Sequence, residues 1–494
     1  MKHRRYIIIG LGMALSMALG HAQTLSGGKV RHGLDAFRKQ TRAEFEDFRK
    51  QAMSEFIGFV RNPWNDFEHT APVPVPEEKP VPPVVMPLED EQKPVEEKPV
   101  IIEQVVTPDP PQPQPQPIEP VVEVPVKVQK YVAFTFFGTC CRVRFDADMK
   151  LKLDGVGNNE VADALQMLAC SDYDNMIIDC LALRDSLQLS DWAYIQMLRS
   201  LAYTIEGERT NAATLLMAYL YMQSGYKMRL AANDNRLYML YASEHYIYDH
   251  VSYAISGETY YGIEQLPTRL AVCNVAFPKE KAMSLYINTC QKFTPVPSEK
   301  RKIVSKRYGG FGMETSVNMN LMDFYATYPT SFVGDDIMTR WAMYANTPVD
   351  ATTSSLVYPQ LRRQLDGLSQ IEAVNRLLNM VQTGLEYEYD DKVWGMDRAF
   401  FAEESLYYPY CDCEDRSILL TRLVRDLLGL KCLLVYYPGH LASAVEFTEG
   451  DVKGDYIMHE GHRYLIADGT YINAPVGRTM PGMDNTAARI IVLD

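Results

Sequence analysis

Between residues 71 and about 127 the chain consists largely of Pro, Val, Glu, Lys and Gln, and it includes Pro110-Pro111-Gln112-Pro113-Gln114-Pro115-Gln116-Pro117. No other stretch limits the fold as strongly. Proline fixes φ and carries no N–H, which bars the segment from helices and, on this reasoning, from sheets. It is expected as extended polyproline II at ~3.1 Å per residue. Residues 71–127 therefore read as a linker tethering residues 23–70 to a globular part that begins near residue 128; a proline-motif ligand is the less favoured reading.

The N-terminus has the layout of an export signal. Lys2, Arg4 and Arg5 precede an apolar run from Tyr6 to Leu19, and Gly20-His21-Ala22 offers small residues for cleavage after Ala22. The run is short for a spanning helix, which needs about 20 residues. No cysteine follows it to carry a lipid anchor. Residues 1–22 are thus expected to be a signal peptide, with the mature chain periplasmic or extracellular and without a transmembrane segment. Residues 23–70 predict one amphipathic helix in which Phe37-Arg38-Lys39-Gln40 recurs as Phe48-Arg49-Lys50-Gln51. Leu34, Phe37, Phe45, Phe48, Ala52, Phe56 and Phe59 fall on one stripe at helical spacing. Such a stripe could pack on the globular part or support self-association through residues 34–60.

Composition matters mainly for what it excludes. A formal charge of −14 over 494 residues gives no basic surface for neutralising phosphates, so nucleic acid is not expected as a partner. The nine cysteines are an odd number, so an exported monomer keeps at least one thiol unpaired.

Three globular segments follow the linker: an α+β domain over 128–290, a connecting helical region over 291–364, and a second α+β domain over 365–494. Strand patterns at 131–137 and 141–145 lead into helix patterns at 159–170, 173–187, 191–204 and 212–224. The last segment opens with a helix over 369–383. Sliding Gly225 onto Gly429 superposes Ala213-Thr214-Leu215-Leu216 on Ser417-Ile418-Leu419-Leu420. Strands with His245 then parallel strands with His440, and Arg209 stands where Cys413 does. Duplication with loss of the nucleophile in the first copy is one reading; unrelated helix–strand order is the other.

The chemistry concentrates in Tyr410-Cys411-Asp412-Cys413-Glu414-Asp415-Arg416-Ser417 and the apolar helix running to Gly429. Asp412 is a good N-cap and Gly429 a C-terminal stop, which puts Cys413 at a helix N-terminus, where backbone N–H groups favour a thiolate. Asp412, Glu414 and Asp415 oppose that charge, so a nearby imidazolium is required. His440 follows the strand Cys432–Tyr437 and the turn Pro438-Gly439, and the strand Arg463–Ala467 ends in Asp468-Gly469-Thr470. An acid there could hold the imidazole in one tautomer.

Asp-Cys-Glu-Asp opening an apolar helix, then Pro-Gly-His and a strand ending in Asp-x-Thr, resembles the transglutaminase-like superfamily over about 365–480. Gln382-Thr383-Gly384-Leu385-Glu386-Tyr387 and Phe400-Phe401-Ala402-Glu403-Glu404 fit as well. The resemblance implies a papain-like α+β core, a nucleophile helix packed on an antiparallel sheet. Cys413 is then the nucleophile, His440 the general base and acid, and Asp468 the orienting acid. The implied reaction is attack on a peptide or carboxamide carbonyl through a thioester, with a peptide or protein substrate (cell-wall peptide included) and no cofactor or metal. Two positions depart from the family pattern: Gly469 replaces proline, and Leu441-Ala442-Ser443 lacks the usual aromatic residue. Two other readings use the same residues: a non-catalytic envelope binding or scaffold protein, and a zinc site made from Cys411, Cys413, His459 and His462.

Overall fold

A computed structural model describes residues 27–76, 79–91, 93–126, 129–153, 155–171, 173–450 and 452–493. The expected signal peptide lies outside the described residues. Helix α1 (Gly27–Val60) occupies much of the span expected to be one helix but ends ten residues short of residue 70, and its buried face is rotated from the expected stripe. Ala52, Met53, Phe56, Ile57 and Val60 are buried, whereas Phe48 and Phe59 are 45% and 52% exposed. The C-terminal half packs on the chain's own helix 158–170 and sets Phe56 edge-on to Phe277. Strand β1 (Asn65–Glu68) follows.

The proline-rich segment departs from expectation most clearly, because it joins sheets in three places as β2 (Val84–Val85), β3 (Lys98–Pro99) and β4 (Gln104–Val106). In an extended strand only alternate N–H groups face a given neighbour. Lys98 N–H donates to Gly454 O (3.2 Å) and Val100 N–H to Tyr456 O (2.7 Å), so the N–H missing at Pro99 lies on the side with no partner. Further on, the Pro-Gln repeat lies on the first unit: Gln114 Nε2 donates to Asp191 Oδ1 (3.0 Å) and Arg184 Nη1 to Pro115 O (2.9 Å). The tether is therefore a strap bound along the body.

The first unit contains a β-hairpin (Tyr131–Phe136 with Thr139–Arg144) and helices α2 (Asn158–Cys170), α3 (Tyr173–Ser186), α4 (Asp191–Glu206) and α5 (Asn211–Gln223). These match the predicted spans to within two residues at each end. Strands β5 (Met228–Asn233), β6 (Arg236–Ala242), β7 (Ser252–Ile255), β8 (Glu258–Gly262) and β9 (Arg269–Cys273) form a sheet ordered β1-β9-β5-β6-β8-β7. A hairpin at Arg301–Val304 and Gly312–Thr315 and helices at Met319–Tyr325, Thr339–Asn346 and Ala351–Leu365 fill the connecting region.

The second unit has helices α6 (Gln370–Gly384) and α7 (Cys413–Leu428), then β10 (Cys432–Tyr437), β11 (His440–Glu446), β12 (Asp455–His459), β13 (His462–Ala467), β14 (Tyr471–Ile472) and β15 (Arg489–Val492). Its sheet is ordered β3-β12-β13-β11-β10-β15-β4, so strap strands cover both edges, where unpaired N–H and C=O groups would otherwise be exposed.

The molecule is thus a mixed α+β protein whose two sheets share one ladder. Met228–Asn233 lies on Cys432–Tyr437 and Arg236–Ala242 on His440–Glu446, an offset of 204 residues. Asn233 pairs with Arg236 as Tyr437 pairs with His440. Tyr261 pairs with Tyr241 as Leu465 pairs with Val445, and Ser252 with Tyr261 as Tyr456 with Leu465. Only the last strand shifts: Cys273 and Ile491 take equivalent places, an offset of 218. Facing is preserved too. Leu230 and Leu434 point into the largest apolar cluster, which runs from Ala52 to Ile491, while Ala231 and Val435 point into separate clusters on the opposite faces.

Candidate active site

Helix α7 begins where its capping residues dictate. Asp412 accepts from Glu414 N–H (3.1 Å), and Asp415 reaches back to Asp412 N–H (3.2 Å), which satisfies donors that a helix start leaves open. The other Asp415 oxygen accepts from Phe400 N–H (2.8 Å), so this acid is spent on structure. One turn beyond Cys413, Ser417 Oγ donates to Leu441 O (2.8 Å) and clamps the helix to the start of β11. The Leu441 N–H points to the Cys413 thiol.

The turn Pro438-Gly439 places His440 at the start of β11, and β13 ends beside it, just before Asp468. His440 Nε2 lies 2.9 Å from Asp468 Oδ2, with side-chain exposures of 0% and 2%. Asp468 Oδ1 accepts from the N–H groups of Thr470 (2.8 Å) and Tyr471 (3.2 Å). A carboxylate only accepts, so this network assigns the ring proton to Nε2 and leaves the lone pair on Nδ1. That Nδ1 has no hydrogen-bond partner among the described residues. Cys413 and His440 line one cavity of about 330 Å³, together with Pro80, Arg340, Trp341, Tyr389 and several acids. The structure therefore brings together Cys413, His440 and Asp468 around one cavity and its adjoining turn.

Gly469, which stands where the family pattern has proline, permits close approach: a Cβ there would lie 3.0 Å from Arg416 Cβ. Arg416 is buried and donates to the carbonyls of Gly469 (3.2 Å), Gln382 (3.3 Å) and Leu385 (3.0 Å). The Gln382 amide donates to the carbonyls of Asp468 (2.9 Å), Tyr471 (2.8 Å) and Ala474 (3.0 Å). Neither role is visible in the sequence, because both residues act on backbone carbonyls that only the tertiary fold assembles. The available cues were the place of Arg416, three residues after Cys413, and that of Gln382 in the stretch that fits the family pattern.

Electrostatics at the thiol run as the flanking acids suggest. Burial pushes Cys413 well above the ordinary thiol range, and the charges of Asp412 and Glu414 push it further; the Leu441 N–H opposes them. Burial also raises Asp390 to about 8, helped by Asp412, and raises Asp412 to about 6, helped by Asp397. Glu414 is held well above its usual range by burial and then by Asp397, while Arg340 lies 3.3 Å from Asp397. Carboxyl oxygens of Asp390, Asp412 and Asp415, and of Asp390, Asp397 and Glu414, lie within 4.8 Å of one another, a spacing that could hold a divalent cation. Sequence reasoning missed Asp390 and Asp397, which lie in a stretch without a strong pattern.

The zinc reading loses its geometry. Cys411 donates toward Glu386 O and receives Arg416 Nε, whereas His459 and His462 pair at the far end of the β12–β13 hairpin, with the length of β13 between His462 and Asp468. All nine cysteines are free thiols. In the first unit, His245 is not the counterpart of His440. It sits in a separate strand, His245–Ile247, buried against Tyr286, and burial lowers it to about 3. The ladder puts Arg236 at the His440 position and Glu264 at the Asp468 position, and these two form an ion pair at 2.7 Å. Arg209 falls opposite Cys413 by the sheet offset, and Asn211 by the helix start.

Comparison of the chain with protein families, with curated proteins and with solved structures finds no match.

Proposed function

We propose that the second unit is a transglutaminase-like cysteine enzyme with a papain-like core, acting on peptide or carboxamide bonds. The observation that carries this reading is the imidazole of His440, held at Nε2 by Asp468 with Nδ1 unpartnered, lining the same cavity as a cysteine at a helix start. The resting thiol is protonated, so activation requires proton transfer from Cys413 Sγ to His440 Nδ1 as substrate enters. The sulfur then attacks the carbonyl carbon. As the C–N bond breaks, the leaving amine takes the proton from Nδ1 and a thioester remains; water or an amine resolves it. Asp468 orients the ring and stabilises its charged form throughout. The N–H groups at the start of α7, that of Cys413 among them, are the donors available to an oxyanion.

On the same reading the first unit is a degenerate copy, with Arg209, Arg236 and Glu264 in the places of the reactive residues. Lys2, Arg4, Arg5 and the run to Leu19 support export to the periplasm or beyond, where muropeptides and secreted proteins are available substrates.

Rates of Cys413 alkylation across pH test the proposal. Expected is labelling that His440→Ala slows further at pH 6, with Cys413→Ala abolishing amide turnover. Labelling indifferent to His440, with no turnover that depends on Cys413, would leave the second reading, a non-catalytic envelope scaffold. That alternative draws on one observation: the Cys413 residue is only 5% exposed.

A further inference from the structure

The strap crosses the candidate site as Lys79-Pro80-Val81-Pro82-Pro83-Val84-Val85-Met86. Val81 N–H donates to Gly439 O (2.8 Å), Met86 N–H donates to Ile472 O (2.9 Å), and β2 runs parallel to β14. Gly439 immediately precedes His440, and Tyr471 lies three residues after Asp468. The segment thus lies along the two turns that present the imidazole and its acid. Its prolines fall at 80, 82 and 83, away from the two N–H groups named above. Side chains follow the alternation of an extended strand: Met86 is 3% exposed, while Val85 is 62% exposed. Met86 joins Tyr471, Ala474 and Met480 in a small apolar cluster separate from the main core, with Val81 and Val84 packed on it. Gly439 holds φ +75°, and any side chain there would collide with the Lys79 carbonyl oxygen, so the turn leaves room for a passing backbone. Pro80 forms a wall of the Cys413 cavity.

Main-chain pairing combined with seats for alternate side chains is how a groove binds an added strand. We infer that the track held by residues 79–86 is a peptide-strand site, and that the substrate of the Cys413 cavity is an extended aliphatic, proline-bearing peptide that replaces this segment. The inference rests on the enzyme reading above for its chemistry, though not for its binding. A chain entering along the same track pairs with β14, seats apolar residues at the Val84 and Met86 positions, and delivers the residue at the Pro80 position to the thiol.

The test uses the full chain with Val84→Asp and Met86→Asp, which free the track without touching Cys413, His440 or Asp468. Two quantities are measured: the rate of Cys413 alkylation, mapped by mass, and the binding of a fluorescent peptide of residues 77–88 by anisotropy. Expected are labelling at least about tenfold faster than in the unaltered chain, saturable peptide binding to the variant alone, and return of slow labelling when the peptide is added. Absence of saturable peptide binding overturns the strand site, and peptide binding with unchanged labelling overturns its assignment to the substrate of the Cys413 cavity. If the double variant does not keep the native circular-dichroism melt, Met86→Ala is measured for the same effects. Adding Cys413→Ala separates the two proposals. Peptide binding that survives in that background keeps the strand site even if no Cys413 chemistry is found; fast, His440-dependent alkylation without peptide binding keeps the enzyme and removes the site.

Discussion

The two units build one ladder and close it differently. In the first, Arg236 and Glu264 meet at 2.7 Å with side chains 35% and 29% exposed; in the second, His440 and Asp468 meet at 2.9 Å with 0% and 2%. The change from an offset of 204 to one of 218 shows where the difference arises: equivalent positions of β13 and β15 are fourteen residues further apart in the chain than those of β8 and β9. Those residues include β14 and Met480, on which the strap seats β2 and Met86. A shared strand order therefore positions two side chains at neighbouring strand ends. Sealing them from water takes an insertion and a strap. Sealing changes what the pair can do, since a wet ion pair is worth little, whereas a dry pair is strongly coupled to its surroundings.

The largest contrast concerns the nucleophile position. Cys413→Ala is expected to remove amide turnover by on the order of 10³-fold or more, as for other nucleophile deletions, while Arg209→Ala leaves it unchanged. Parallel turnover assays on both variants check this, and comparable losses would end the assignment of chemistry to the second unit alone. Next comes transplantation of the first unit's pair. His440→Arg with Asp468→Glu should slow Cys413 labelling at pH 6 by roughly 10²-fold, because guanidinium cannot accept the thiol proton. The sealed site should also cost about 2–4 kcal/mol of stability in denaturant titrations.

A smaller effect follows from the acids. Asp390 is raised to about 8 and Asp412 to about 6, so the folded chain binds more protons than the unfolded chain between pH ~4 and those values. Stability must then fall as pH rises through that window, and Asp390→Asn should flatten the slope. Thermal midpoints at pH 5 and pH 8 measure it, with a drop of several degrees expected for the unaltered chain. A midpoint that rises over this range would show that the acids are ionised and compensated instead. The smallest effect belongs to the first unit's pair, where Arg236→Ala should cost no more than about 1 kcal/mol, since both partners are partly wet. A loss as large as that of the transplanted second pair would mean that the two pairs play equal parts.

Legibility followed the range of the forces involved. Helices α2 to α5 and α7 were readable because apolar period, Asp412 as a cap and Gly429 at positive φ are local signals. The offset of 204 was readable because Gly225 and Gly429 end equivalent helices. The counterpart of His440 was not, since His245 is the nearer match in residue type while only pairing register identifies Arg236. The strap was misjudged for a related reason. Counting prolines shows that N–H groups are missing, but only the neighbour decides which N–H groups are needed.

The sequence by itself determined that the chain is a mixed α+β protein, that Cys413 starts a helix among acids, that His440 follows a strand and a turn, and that Asp468 follows a strand. These follow from propensity, capping and alternation, which act over a few residues. Only the tertiary structure decided that Nδ1 of His440 is left unpartnered beside the Cys413 cavity, that Gln382 and Arg416 tie down the Asp468 turn, and that a proline-rich strap borders the site. Each of these depends on hydrogen-bonding groups far apart in the chain being buried together, where a polar atom must find a partner or remain available for chemistry.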